Sequence, residues 1–282
     1  MASWIDTHAH LDDERFHTDL PAVLERAQQS GVNQILSIGV DRATSENAVR
    51  LAQQHQPVFA VVGIQPNHVA EAETGDWDAI VALAQSQPRV VGLGESGLDR
   101  HWDRAPFPLQ EEYFTRHLEL SRRLKLPLVI HCREAEADVV RMLRADYDQH
   151  GPLQALMHSF AGSLETAQAC LEMGVYLSFA GMLTYKTAGE LRAVAAQVPH
   201  NRLLVETDCP YLAPTPMRGK RNEPAFVVHT ASVLAELVGL SIEALAMQTT
   251  QNARQLFERI AGGTGIPDST SNIKIHSGET IA

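Results

Sequence analysis

Short apolar runs alternate with longer amphipathic stretches along most of this chain. Brief runs of β-branched and aliphatic residues are typical of buried strands, whereas apolar residues at intervals of three and four are typical of helices. The strand pattern occurs eight times, over residues 4–8, 34–40, 58–64, 90–95, 128–131, 154–158, 175–179 and 203–207. We therefore predict eight strands with helices between them.

Two of the intervening stretches show the helical pattern most clearly. After the first strand, apolar residues over 20–27 recur at helical spacing, with Asp19 as the expected N-cap and Gly31 beyond the end. Between the fourth and fifth strands, the spacing predicts a longer helix over 109–124, which ends before Pro127. Helices that alternate with strands in this way predict βα units.

Repeated βα units favour an α/β fold built on a parallel sheet. Eight units over roughly 250 residues match a closed TIM (β/α)8 barrel. An open doubly wound sheet is the alternative, and it is less favoured because no Gly-x-Gly-x-x-Gly turn follows the first strand.

No internal domain boundary stands out. The proline-rich stretch 210–224 is predicted to be a long loop after the eighth strand, followed by helices over 225–238 and 242–260. The remainder is rich in Gly, Ser and Thr. We expect a single barrel domain over 1–261 and a flexible tail over 262–282.

Composition restricts the functional classes. The chain has 282 residues, of which 44% are hydrophobic, and can bury a large core. It shows neither a long apolar span nor a leader pattern, and its three cysteines are odd in number and widely spaced. We therefore expect a cytoplasmic protein that does not interact with membranes. We also expect it to be a monomer. A net charge of −11 argues against broad capture of nucleic acid, but not against a metal-centred site that binds only a strand end.

The candidate chemistry begins in the first strand. His8 and His10 are separated by one residue and would project to the same side, because side chains alternate along a strand. Two imidazoles would then lie within reach of one cation. Asp6 falls one residue off this face and is interpreted as a structural residue.

Four later strands also end in ligand-type residues: Glu95, His131, His158 and Asp208. The C-terminal ends of barrel strands meet at one mouth, where active sites lie. Four imidazoles and two carboxylates suit two divalent ions bridged by one carboxylate. The alternative for each residue is structural: a core histidine, a carboxylate paired with arginine, or a turn cap.

The chain resembles the TatD family of metal-dependent hydrolases over residues 5–257. The motifs that carry the resemblance are His8-Ala9-His10, Gly94-Glu95-Ser96-Gly97-Leu98-Asp99, Ile130-His131-Cys132-Arg133-Glu134-Ala135, His158-Ser159-Phe160-Ala161-Gly162 and Glu206-Thr207-Asp208-Cys209-Pro210-Tyr211-Leu212-Ala213-Pro214, followed by Arg218-Gly219-Lys220-Arg221-Asn222-Glu223-Pro224. The resemblance implies a barrel of the amidohydrolase type, a two-metal site and deoxyribonuclease activity that trims DNA from its 3′ end.

The resemblance also implies roles for individual residues. One ion would be held by His8, His10, Glu95 and Asp208, and Glu95 would bridge to a second ion held by His131 and His158. The sequence leaves the ions open among Zn, Mg and Mn. We expect Glu95 and Asp208 to be catalytic, with Asp208 orienting a water molecule or taking its proton.

Substrate contacts are expected from five further residues: Gln65, Asn67, Arg133, Arg218 and Arg221. The arginines would hold phosphates as forked donors. Gln65 departs from the family pattern, which usually has histidine there, and it can donate a hydrogen bond but cannot shuttle a proton. Ser159 is a milder departure.

Three functions remain open at this point. The favoured one is a 3′-5′ exonuclease that binds the 3′ end of a nucleic acid, DNA rather than RNA. The same residues could instead hydrolyse an ester or amide, for example in D-aminoacyl-tRNA deacylation. Amide-cleaving relatives often bridge their metals with a carboxylated lysine, whereas Glu95 stands at that strand end here. A metal-binding protein without catalysis is the third.

Overall fold

The chain folds into an eight-stranded parallel barrel. The computed structural model describes residues 2–261. The strands are β1 (Trp4–Ala9), β2 (Val32–Ile38), β3 (Val58–Val62), β4 (Val90–Asp99), β5 (Leu128–Arg133), β6 (Ala155–Met157), β7 (Tyr176–Phe179) and β8 (Leu203–Val205). They pair in parallel in sequence order, and a parallel bridge between Ala9 and Cys209 joins the two outer strands. The predicted α/β barrel is confirmed.

Helices surround the barrel. They are α1 (Leu20–Gln29), α2 (Arg42–Gln54), α3 (Asp76–Ser86), α4 (Phe107–Leu124), α5 (Glu136–His150), α6 (Leu164–Glu172), α7 (Gly189–Ala195), α8 (Val227–Val238), α9 (Ile242–Leu256) and α10 (Glu258–Ala261). Short 3-10 helices cover Glu14–Phe16, Gly181–Thr184, His200–Arg202 and Pro224–Phe226. The predicted final helix over 242–260 is two helices, α9 and α10. The predicted tail over 262–282 lies outside the described residues.

The predicted bounds of most strands differ from the observed ones by one or two residues, and two further expectations differ for a specific physical reason. Asp19 stands at the N-cap position of α1 but makes no capping hydrogen bond, because its carboxylate accepts two hydrogen bonds from Arg221. Strand β4 continues past Glu95 as far as Asp99. The reason is its pairing with β5, in which Gly97 lies beside His131 and Asp99 beside Arg133. This extension carries Asp99 into the barrel mouth.

The apolar core has two parts. The larger part lies between the strands and the surrounding helices. The smaller part fills the N-terminal end of the barrel interior, where Ile5, Leu36 and Val91 pack with Leu256 and Phe257 from the chain's last described segment. This end of the barrel is therefore filled, and the cavity lies at the C-terminal ends of the strands.

No helix within residues 2–261 combines the length and apolarity needed to cross a membrane on its own. Residues 224–238, which comprise a 3-10 turn and α8, meet this criterion only together with α9, and these two segments are bent by 104° relative to each other. In the barrel, both helices bury apolar side chains in the core.

His117 on α4 is a buried histidine that orders the loop after β3. Its Nδ1 donates to the carbonyl of Tyr113 at 2.7 Å, and its Nε2 accepts from the Ile64 amide at 3.2 Å. Burial first, together with the nearby Arg116, lowers its pKa to about 4. The ring is therefore neutral and holds the backbone immediately before Gln65.

This low pKa predicts acid sensitivity of the fold. An unfolded histidine takes up a proton below pH 6.5, whereas His117 does so only near pH 4, so the stability it contributes above pH 6.5 is lost as the pH falls. We expect the free energy of unfolding to fall between pH 6.5 and 4 by about 3 kcal/mol more in wild type than in His117→Gln. Chemical denaturation in chelator at several pH values measures this; equal slopes for the two proteins would contradict it.

Candidate metal centre

Closure of the barrel fixes the first two histidines. His8 lies near the end of β1 and His10 directly follows this strand, and the chain after β8 binds the backbone of both residues. The Asp208 amide donates to the His8 carbonyl at 2.8 Å, and the His10 amide donates to the Cys209 carbonyl at 2.8 Å. Asp208 has a φ of 55°, in the left-handed region that aspartate tolerates better than most residues. The backbone thereby places the Asp208 carboxylate beside both rings.

The first ligand set comprises His8, His10, Asp208 and one oxygen of Glu95. The two Nε2 atoms lie 3.3 Å apart. His8 Nε2 is 3.4 Å from Glu95 Oε2, and His10 Nε2 is 3.5 Å from Asp208 Oδ1. The remaining histidine–carboxylate distances in this set are 3.7 and 3.9 Å. All four residues thus turn a ligand atom towards one small volume.

The second ligand set uses the other oxygen of Glu95. Glu95 Oε1 lies 2.7 Å from His131 Nδ1 and 3.1 Å from His158 Nε2, and these two nitrogens are 3.4 Å apart. Glu95 is only 4% exposed, so its carboxylate is held between the two sets with one oxygen facing each. This is the arrangement expected of a carboxylate that bridges two cations.

Both sets fit a divalent cation. Ligand atoms bound tetrahedrally at about 2.1 Å stand about 3.4 Å from one another, which lies within the range of 2.7 to 3.9 Å found above. His10 donates from Nδ1 to the Ile38 carbonyl, and His131 donates from Nε2 to Asp99. The other nitrogen of each of these two rings faces a ligand set and can offer its lone pair to a cation. Histidine and carboxylate donors suit several divalent transition metals.

The electrostatic potential of the site also favours cations. Burial alone lowers the pKa of His10, but the carboxylates of Asp208 and Glu95 outweigh it and raise this pKa to about 9. Burial alone raises the pKa of Glu95, but the surrounding imidazoles, His158 first, hold it well below its ordinary value. A site that keeps the Glu95 carboxylate ionised and favours a positive charge on His10 also attracts metal ions, which displace the proton.

The ligand sets lie at the bottom of an open cavity of about 840 Å³. The cavity is walled by the loops after several strands, including Asp12, Gln65, Trp102, Arg133 and Tyr211. A polymer end or a small molecule can therefore reach both ligand sets from the barrel mouth.

Comparison with known proteins identifies the family of the chain. A family model described as TatD related DNase matches residues 5–258. The chain belongs to this family. It is 40% identical over 252 residues to YabD of Bacillus subtilis, an uncharacterized metal-dependent hydrolase, covering 89% of this chain and 98% of YabD. The chain is thus a metal-dependent hydrolase of the TatD family.

Two further relatives bear on structure and activity. The chain is similar to a protein of Pantoea vagans named 3′-5′ ssDNA/RNA exonuclease TatD, with 36% identity over 259 residues that cover 89% of this chain and 98% of the relative. The crystal structure of YJJV, a TatD homologue from Escherichia coli K12, superposes with a TM-score of 0.85 at 29% identity. That match covers 91% of this chain and 98% of YJJV.

Asp99 contacts the candidate ligand His131, and sequence reasoning gave it no role. Its Oδ2 accepts from His131 Nε2 at 2.8 Å and from Asn67 Nδ2 at 2.9 Å. Its Oδ1 accepts from the backbone amides of His101 and Trp102, both at 2.9 Å. Asp99 therefore fixes the orientation of His131. Its place in the quoted Gly94–Asp99 motif was the available signal.

Glu206 is a second such residue. Its side chain is fully buried, with Oε1 3.4 Å from His158 Nδ1, and it accepts a hydrogen bond from the Ser159 amide at 2.6 Å. Asp6, interpreted as structural, accepts from the amide and the hydroxyl of Thr207. It supports the chain that carries Asp208.

Replacement of Asp99 tests its role in orienting His131. All four groups that now bond to the Asp99 carboxylate are hydrogen-bond donors. In Asp99→Asn the NH2 group is also a donor, so in either orientation of the side chain it faces donors and cannot replace the lost hydrogen bonds. We expect metal affinity to fall about 10- to 100-fold, as for other residues that orient metal ligands. Competition with a chromophoric chelator measures this affinity. Asp103→Asn, at an exposed position nearby, should bind as wild type does; unchanged affinity in Asp99→Asn would exclude the role.

The predicted substrate-binding residues are divided by the structure. Gln65 and Asn67 are nearly buried in the cavity wall, and Arg133 is exposed at its rim. Arg218 stacks over Tyr185, with its guanidinium carbon 3.9 Å from the ring centroid, and Arg221 pairs with Asp19. Neither of these two arginines lines the described cavity.

Proposed function

We propose that the chain is a 3′-5′ exonuclease that hydrolyses phosphodiester bonds at the end of a single DNA strand. The observation that supports it best is the Glu95 carboxylate, whose two oxygens face two sets of ligand atoms at the bottom of an open cavity. Paired cation sites bridged in this way are typical of phosphatases and nucleases. The relative named as a 3′-5′ exonuclease supports the direction of cleavage.

The proposed chemistry needs two divalent ions, one at each ligand set. When bound, the ions would withdraw charge from the scissile phosphate and acidify a water molecule beside it. Asp208 would orient that water or take its proton, because its carboxylate lies at the edge of the first set and borders the cavity. All six ligand residues come from one chain, which favours a complete site in a monomer.

Neutral donors would position the phosphate. Gln65 Oε1 already accepts a hydrogen bond from the backbone amide of Asn67 at 2.7 Å. This bond orients the Gln65 side chain and leaves its NH2 group available to the cavity. This group can donate to a phosphate oxygen, but it cannot transfer a proton near neutral pH. Proton transfer would therefore depend on Asp208, and substrate charge would be matched at the rim by Arg133.

The direct test is degradation of a 5′-labelled single DNA strand with Mg²⁺ or Mn²⁺. The expected products are progressively shorter labelled strands together with 5′-mononucleotides, and His131→Ala should produce neither. RNA, D-aminoacyl-tRNA and a simple ester assayed in parallel distinguish the other hydrolases. Turnover of one of these substrates with intact DNA would overturn the nuclease proposal.

A further inference from the structure

Two exposed aromatic side chains flank the cavity mouth. Among the described residues, three large hydrophobic side chains are strongly exposed: Trp102 at 45%, Tyr211 at 49% and Met247 at 70%. Trp102 and Tyr211 both line the cavity, whereas Met247 lies on α9, away from it. An aromatic ring left exposed beside a catalytic cavity is a candidate contact for a planar group of the substrate.

Trp102 is held in place although it lies on a loop. Its backbone amide donates to Asp99, the same carboxylate that binds the metal-site residue His131. The His101 ring packs against Trp102 edge-on at 4.8 Å and is itself bound to Glu134 at 2.6 Å. These contacts restrict Trp102 before any substrate binds, which reduces the entropy lost on binding.

The charges at the mouth differ between its two sides. Arg104 and Arg133 line the cavity on one side, each with its guanidinium carbon 5.4 Å from the Trp102 ring centroid. We call these three residues the Trp102 lip. They are the only Lys, Arg or Trp side chains found in the cavity lining of residues 2–261.

The other side of the mouth is acidic. Asp12, Asp13 and Glu14 line the cavity after β1, and Tyr211 lines it after β8. The Trp102 lip lies at the end of β5 and after β4, and these strands lie across the eight-stranded barrel from β8 and β1. Arg15 pairs with Asp13 at 2.7 Å, and its guanidinium carbon lies 4.5 Å from the Tyr211 ring centroid, but Asp12 and Glu14 leave an excess of negative charge on this side. Phosphates would be repelled there and attracted to the Trp102 lip.

We propose that the Trp102 lip binds the retained part of the strand. This inference depends on the proposed exonuclease function. Trp102 stacks on the base immediately 5′ of the scissile phosphate, while Arg104 and Arg133 bind the phosphates that follow towards the 5′ end. The terminal nucleoside carries a 3′-hydroxyl and no further phosphate, so it occupies the acidic side. The polarity of the mouth thus sets the direction in which the strand enters.

Stacking on Trp102 also implies a preference for unpaired ends. A base must leave its own stack before an aromatic side chain can cover its face, and this costs less in a single strand than in a duplex. The substrate selected by the lip is therefore a single-stranded or frayed 3′ end.

Binding without catalysis provides the first test. In EDTA, titration with oligothymidylate should quench the emission of Trp102 in wild type. The other two tryptophans lie away from the cavity, since Trp4 is buried and Trp77 packs against Tyr113 on the outer helices. Trp102→Phe should abolish the quenching while retaining most of the affinity. Trp102→Ala should raise Kd about 5- to 100-fold. Met247→Ala removes an exposed apolar side chain elsewhere and should leave Kd unchanged.

Cleavage provides the second test, with an abasic residue placed at chosen positions. Relative to the intact strand, an abasic residue just 5′ of the scissile phosphate should lower wild-type kcat/KM about 5- to 100-fold. Trp102→Ala should lower kcat/KM on the intact strand by a similar factor. On the abasic strand it should lower kcat/KM little further, because the missing base has already removed the contact that Trp102 makes. An abasic residue at the 3′ terminus should not have this effect.

The outcomes separate the lip from the nuclease activity. Equal Kd and equal cleavage in wild type and Trp102→Ala, with DNA degraded normally, would overturn the lip and leave the nuclease proposal intact. If Trp102→Ala lowers kcat/KM on the intact strand but not on a strand with an abasic residue at its 3′ terminus, the direction assigned to the strand would be overturned. If wild type degrades no strand, the nuclease proposal fails. Quenching and the loss of affinity in Trp102→Ala would then still support the lip as a nucleic-acid contact.

Discussion

Glu95→Gln should reduce kcat/KM on single-stranded DNA by about 10³-fold or more, or about 4 kcal/mol of transition-state free energy. The Glu95 carboxylate touches both ligand sets, with Oε2 3.4 Å from His8 and Oε1 2.7 Å from His131. Glutamine keeps the shape but turns an NH2 group towards one set, which removes a ligand there and the negative charge from both. We therefore expect metal content and activity to fall together.

The measurement combines single-turnover degradation with metal analysis of the purified variant. Glu112→Gln is the matched control, because Glu112 is an exposed glutamate on α4 that pairs with Arg116. It should retain wild-type activity and metal content. A Glu95→Gln protein that keeps its full metal content and cleaves DNA at the wild-type rate would show that Glu95 bridges nothing.

Asp208→Asn should lower kcat on DNA about 10²- to 10³-fold while leaving the fold intact. Asparagine tolerates the left-handed backbone that Asp208 adopts at a φ of 55°, so the change is confined to the side chain. It removes the proposed proton acceptor and weakens one contact to the first ligand set. The Kd for DNA in EDTA should change little, because the contacts proposed for the strand lie at the Trp102 lip.

Single-turnover rates and Kd values for the same oligonucleotide separate these effects. Asp148→Asn changes an exposed aspartate near the end of α5 and should match wild type in both. If Asp208→Asn retains the wild-type single-turnover rate with saturating Mg²⁺, Asp208 takes no part in the chemistry.

The eight strands and the convergence of the candidate ligand residues at one end of the barrel were predictable from the sequence, because each depends on a local rule. Side chains alternate along a strand, which puts His8 and His10 on one face. Parallel barrel strands share one C-terminal mouth, which gathers Glu95, His131 and Asp208. Neither step requires knowledge of which side chains touch.

Contacts between distant segments were less accessible. The pairing of Arg221 with Asp19 links residues 202 positions apart, and nothing in either local sequence indicates it. The four hydrogen bonds of Asp99 likewise depend on β4 extending beside β5, whereas the apolar pattern of β4 ends earlier. Trp102 has no periodic context, so its exposure at the mouth appears only in three dimensions.

The most direct measurement of the central claim is anomalous diffraction from crystals grown with Mn²⁺. We expect two peaks about 3.5–4 Å apart, the usual spacing of paired metal sites. One should contact His8, His10 and Asp208, the other His131 and His158, with Glu95 between them. Peaks only elsewhere on the protein, or none at these residues with Mn²⁺ in excess, would contradict the account.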